Sequence, residues 1–216
     1  MKESTPFLLP YRSYGEARQR ASALICDVRK HNKIHDSYKF NVKLIGSQKR
    51  RCVIQDGKGK YDLDCQIVLT NNCKGSLNPT DIKKAFLRAF TDSANKNEKV
   101  EGSTTVITVR CSKNSGSFDA SHEKYSFDFV IIDSSETKRI RRNGQNEYTW
   151  VELPSKNTYI YERFNKLDGM KQRQLLEEFV IPRVIAEKKK DKSNRIPSID
   201  IFYEGVNNYY QKYKLK

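Results

Sequence analysis

From Tyr61 to Leu69 the side chains alternate: Leu63, Cys65, Ile67 and Leu69 fall on one side, and Asp62, Asp64, Gln66 and Val68 on the other. A period of two belongs to a β-strand, so this run is predicted to be a strand with one face in a core. A half-buried strand requires partner strands and a layer over its apolar face. Asp is disfavoured in strands, yet two stand here at alternate positions with their carboxylates on one face. Two anions that close repel unless something positive lies between them. Two readings stay open: the solvent side of an edge strand, or a rigid platform for a cation such as Mg²⁺, which takes carboxylate oxygens together with substrate phosphates.

The remaining periodicities fill in the architecture. Ala17, Ala21, Leu24, Ile25 and Val28 form one apolar stripe, which predicts a helix from Tyr14 to about Lys30. Val42, Leu44 and Ile45 predict a short strand ending at Gly46. Asn78-Pro79-Thr80-Asp81 is a helix start, and the helix should run to about Ala94 with Ile82, Ala85, Phe86, Ala89 and Phe90 inward. Thr104–Arg110 and Tyr125–Asp133 read as strands joined by a polar loop. Beyond Trp150 the pattern is helical: Thr158–Lys166, then Lys171–Lys190 interrupted by Pro182, then Ile199–Tyr213. The expected fold class is α+β, a mixed β-sheet core with packed helices over residues 1–150 and a helical C-terminal subdomain over 151–216.

Five cysteines, an odd number with no C-x-x-C spacing, argue against a zinc site or a disulfide framework. Cys26 and Cys65 are expected to be small core residues. Met1–Pro10 is too short and polar for a secretory leader, and no apolar run is long enough to span a bilayer. A cytoplasmic protein with no membrane partner is therefore expected. Lys and Arg number 41 against 26 Asp and Glu, a net charge of +15. Such a charge attracts polyanions, RNA or DNA included.

A third acid, Asp128, interrupts the apolar run Phe127-Asp128-Phe129-Val130-Ile131-Ile132. An acid there is costly unless paired or coordinated, and either is compatible with the sequence. Gly46-Ser47 follows the short strand upstream of Asp62. Gly permits close backbone approach to an anion and Ser adds a hydroxyl donor, although such pairs also make ordinary turns. His31 and His35, with Asp27, would share a helix face if the first helix ran on by a turn. They are either a polar helix end or a metal pair.

The order of strand, Gly46-Ser47, strand with Asp62-x-Asp64 and later strand with Asp128 resembles the nucleotidyltransferase superfamily that includes DNA polymerase beta. It covers roughly residues 38 to 133. The C-terminal helices more loosely resemble the branch with oligoadenylate and cyclic-dinucleotide synthases. The resemblance implies that Gly46 and Ser47 contact the phosphates of an NTP, ATP or GTP. It also implies that Asp62, Asp64 and Asp128 hold Mg²⁺ or Mn²⁺ and are catalytic. The activity implied is transfer of NMP to a hydroxyl acceptor with pyrophosphate release. The chain departs from the pattern after Ser47: the small Gly-Thr pair of many members is replaced by Lys49-Arg50-Arg51 and an Asp56-Gly57 turn. Lys49 and Arg50 are the basic residues nearest in sequence for phosphate binding, and Arg139, Arg141 and Arg142 follow the third acid's strand. Two alternatives are a nucleic-acid-binding module of the same fold without activity, and a Mg²⁺-dependent nuclease. Gln66, where many nucleases carry a Lys two residues after an acid, counts against the second.

Overall fold

The computed structural model describes residues 7–8, 14–50, 53–55, 59–113, 116–144, 147–153, 157–190 and 194–215. Arg51, Cys52 and the Asp56-Gly57 turn lie outside them. The chain forms two compact units. The larger comprises Leu9–Val53 and Lys60–Leu153, and the smaller Met1–Leu8, Ile54–Gly59 and Pro154–Lys216.

The larger unit is built on a mixed seven-stranded sheet. In chain order its elements are α1 (Gly15–Lys30), α2 (Asn32–His35), β2 (Phe40–Leu44), α3 (Gly46–Lys49), β4 (Tyr61–Leu69), α4 (Pro79–Ser93), β5 (Glu98–Gly102), β6 (Val106–Ser112), β7 (Glu123–Ile132), β8 (Lys138–Arg142) and β9 (Tyr148–Glu152). β1 (Phe7–Leu8) and β3 (Ile54–Gln55) belong to the smaller unit. The strand order is β2-β4-β7-β6-β5, with β8 on the end of β7 and β9 on β8. All neighbours are antiparallel except β4 and β7. A parallel pair needs a long crossover; here α4 and the β5–β6 hairpin supply it.

One face of this sheet is buried by α1 and α4. The expected stripe of α1 is the buried one, Ala17, Ala21, Leu24, Ile25 and Val28. Cys26 corrects the expectation made for it: it is exposed, because it lies about 100° round the helix from Ile25. Cys65 is buried as expected. α4 starts where Asn78 accepts from the Thr80 N–H at 2.8 Å, with Pro79 in the first turn. Its Phe86 and Phe90 meet Phe40 and Phe129 at ring-centroid distances of 5.2 and 4.5 Å. Burying a ring of this size contributes roughly 1.5–3 kcal/mol. Arg20 of α1 ties down β5 by a two-pronged pair with Glu98, both contacts at 2.7 Å. The strands β5, β8 and β9 carry Lys, Arg and Glu and are missing from the sequence expectation.

In the smaller unit β1 and β3 pair antiparallel, and the helices are α5 (Thr158–Lys166), α6 (Gly169–Leu175), α7 (Ile181–Lys188) and α8 (Ser198–Lys212). The long helix expected over Lys171–Lys190 is divided by a π-helical turn at Leu176–Val180. Pro182 has no N–H to give the carbonyl four residues earlier, and widening the preceding turn accommodates that gap. Gly205 of α8 packs against this turn: a Cβ there would meet Val180 Cγ2 at 2.6 Å. Gly205→Val is therefore expected to cost about 1–3 kcal/mol through overpacking, measured by urea unfolding. Among the described residues no helix is long and apolar enough to cross a membrane.

Candidate active site

The alternation of β4 turns Leu63, Cys65, Ile67 and Leu69 into the core and leaves Asp62 exposed and Asp64 half-buried on the other face. The parallel register with β7 sets Asp62 opposite Ser126 and Asp64 opposite Asp128. In β7 the neighbours Phe127 and Phe129 go into the core, so Asp128 points to the same side as the other two acids. A carboxylate 64 positions further along the chain than Asp64 is thus delivered beside the first pair. Val68 parts from its polar neighbours on this face: with Val130 and Ile132 it forms a separate buried cluster joined by Ile45, Val106 and Leu153. The face is acidic at one end and apolar at the other.

Two hydroxyls aim the acids. Ser126 Oγ donates to Asp62 Oδ1 at 2.5 Å. Thr108 Oγ1, opposite Asp128 in the β6–β7 register, donates to Asp128 Oδ1 at 2.6 Å. Burial raises the Asp128 carboxyl above its usual range; the Thr108 hydrogen bond works against this and the Asp62 charge adds to it. Burial, and after it the charges of Asp64 and Asp128, push the Cys65 thiol up to about 12, so it is inert as a nucleophile at neutral pH. Glu123, 8% exposed, gathers Lys60 at 3.1 Å and Arg110 at 3.4 Å. Ser126 was within reach of sequence reasoning, since it sits two residues before Asp128 in a strand. Thr108 was not, because its place depends on hairpin register.

Gly46 opens the single helical turn α3, directly after β2. Its φ is +62°, a region that favours glycine. A Cβ at this position would collide with the Asp64 carboxylate, whose Cγ would lie 3.2 Å away. The Ile45 N–H donates to Asp64 O at 3.0 Å, fixing the turn to β4. Gly46 is thus held against an acid of the cluster, with half-buried Ser47 next to it. Lys49 is exposed and Arg50 half-buried at the end of the same turn.

Other candidates fall elsewhere. Arg139 pairs in register with Ile132, four residues and about 13 Å along β7 from Asp128. Arg142 alternates onto the core side with Ile140, where it donates to Tyr148 Oη at 3.0 Å and Gly102 O at 3.1 Å. It is no partner for the acids. His31 ends α1 and contacts Asp92 at 3.0 Å, while His35 contacts Asp36 at 2.8 Å. The break between α1 and α2 separates the two rings.

Three Asp carboxylates on one face are the hard oxygen donors that Mg²⁺ or Mn²⁺ prefers, so the donor set fits such an ion in kind. Among the described residues no three His, Cys, Asp or Glu side chains converge on a common point; Asp62 and Asp128 are turned onto their hydroxyl partners.

No family profile matches the sequence, and no curated protein sequence matches it either. Solved structures do resemble the fold. DncV of Vibrio cholerae, in a 3'-deoxy ATP bound form, superposes with a TM-score of 0.54 and 14% identity, over 93% of this chain and 54% of DncV. The CD-NTase CdnG of Bradyrhizobium diazoefficiens, in complex with GTP, gives 0.59 and 11%, over 92% of this chain and 66% of CdnG. CdnC of Escherichia coli MS115-1, with ATP, gives 0.51 and 15%, over 93% and 62%. The chain therefore spans roughly half to two-thirds of the length of these proteins. At such identities the likeness is one of fold, and the fold is the α+β nucleotidyltransferase one.

Proposed function

We propose that the chain is a nucleotidyltransferase that moves the NMP portion of ATP or GTP onto a hydroxyl acceptor. The observation that carries this reading is the in-register pairing of Asp64 with Asp128 on parallel strands, with Gly46 held against Asp64. Gly46 and Ser47 would receive the triphosphate, with Lys49 and Arg50 near its outer oxygens. The acceptor oxygen forms a bond to the α-phosphorus, the bond from that phosphorus to the bridging oxygen breaks, and pyrophosphate leaves. Asp128 would take the acceptor proton. Asp62, Asp64 and Asp128 would hold the divalent metal, which when bound supplies charge neutralisation at the entering and leaving oxygens. The solved structures with bound ATP and GTP forms support an NTP as substrate.

The test is incubation with labelled ATP or GTP and Mg²⁺ or Mn²⁺, followed by pyrophosphate measurement and product separation. Pyrophosphate together with a labelled adduct is the expected result. Phosphodiester cleavage of added nucleic acid, or steeply salt-dependent RNA binding with no turnover, would overturn it. Thr108→Val keeps a strand-compatible side chain and removes the hydroxyl on Asp128. It is expected to lower kcat about 10- to 100-fold, the usual effect of losing a partner that orients a metal-binding carboxylate, with the melting temperature little changed.

A further inference from the structure

Lys83 lies on α4, on the opposite face of the sheet from the acids, and is 1% exposed. Lysine is almost never enclosed to this degree without a partner. Yet among the described residues neither its Nζ nor the buried Nε of Arg142 has a hydrogen-bond acceptor. Both cations face one ring: Lys83 Nζ is 5.7 Å and Arg142 Cζ 5.5 Å from the Tyr148 centroid. The ring offsets part of the charge, but it supplies no acceptor for either free donor. An open groove that includes Tyr148 is lined by Asn78, Thr80, Asp81, Lys84 and Glu147. Neither of its acids, Asp81 or Glu147, accepts a hydrogen bond from Lys83 Nζ. Burial, and then Arg142, bring the amine down to about 8, which still leaves it largely protonated at pH 7.

A buried ammonium, and beside it a guanidinium whose Nε is left over after its Nη2 has paired with Tyr148 Oη and Gly102 O, present two donors without an acceptor at one ring and call for a negative ion. We infer that Lys83 Nζ and Arg142 Nε together bind a halide-sized anion, chloride under ordinary conditions, beside Tyr148. A water molecule would satisfy one donor and leave both charges uncompensated.

The test is thermal unfolding at pH 7 and constant ionic strength, with chloride exchanged for gluconate. Removing chloride from a concentration about ten times its dissociation constant should lower the melting temperature of the wild type by roughly 3–6 °C. Lys83→Met, which keeps the length and removes the charge, should not respond to the exchange. A control that needs no variant is the wild type at pH 10, where the amine is mostly neutral and the chloride response should shrink. A wild type indifferent to the exchange, an equal response in Lys83→Met, or a response undiminished at pH 10 would each overturn the inference.

Discussion

Asp62→Asn and Asp64→Asn are each expected to reduce pyrophosphate release from ATP or GTP by at least about a thousand-fold while leaving the protein folded. The amide keeps the shape of each side chain and removes the charge a divalent ion requires. Electrostatic stabilisation of this kind is commonly the largest contribution to rate. Stability should be spared because Asp62 is exposed and because removing either charge relieves repulsion within the acidic face. Melting temperatures within about 2 °C of the wild type, set beside lost turnover, would be the signature. If both single variants and the double variant still turn over at wild-type rates, the proposed site is wrong. If the variants unfold, the acids are structural.

Arg20→Met is expected to cost about 3 kcal/mol in denaturant unfolding. The Glu98 side chain is 2% exposed and that of Arg20 17%, so removing the cation leaves an enclosed carboxylate without its counter-charge, a loss typically of about 3–5 kcal/mol. The Asn95 N–H, at 2.8 Å, continues to hold one oxygen and keeps the figure at the lower end. Against a total stability of roughly 5–15 kcal/mol this is a large fraction. The pair also sets a pH dependence. Burial pushes the Glu98 carboxyl up, but the Arg20 hydrogen bond and the Asn95 N–H outweigh it and leave the group below its ordinary 4.5. A carboxyl lowered by folding stabilises the native state above its unfolded value, and that contribution disappears as the pH falls through the folded value. The wild type should therefore lose its advantage over Arg20→Met below about pH 4.5, and the two unfolding curves should converge in acid. A constant gap down to pH 2 would contradict this account.

The local patterns that sequence reasoning read well are those whose cause is local. Alternation in Tyr61–Leu69 needs only the pleat of a strand, and it put Asp62 and Asp64 on one side. For Asp128, inside the apolar run Phe127–Ile132, the sequence left a paired and a coordinated acid both open, and it is the structure that turns it away from the core between Phe127 and Phe129. The stripe of α1 and the Asn78-Pro79 start of α4 likewise follow from helix geometry and capping. Strands β5 and β8 escaped because Glu98–Gly102 and Lys138–Arg142 each hold a single large apolar residue among charges, and β9 because Tyr148–Glu152 is short and does not alternate. They are held in place by pairing to neighbours rather than by their own periodicity. Cys26 was misplaced by a single helical step, and Lys83, a residue type that composition puts at the surface, is buried by the packing of α4.

The sequence by itself determined which side chains share a face within one strand or helix, and through the Gly46-Ser47, Asp62-x-Asp64 and Asp128 order it indicated the fold. Only the tertiary structure decided that Asp128 stands opposite Asp64, that Thr108 and Ser126 hold the acids, that Gly46 lies against Asp64, and that Arg142 turns away from them. The physical reason is range. Facing within an element is fixed by backbone geometry over a few residues, whereas register between strands some sixty residues apart is fixed by what the whole core can bury and hydrogen-bond at once.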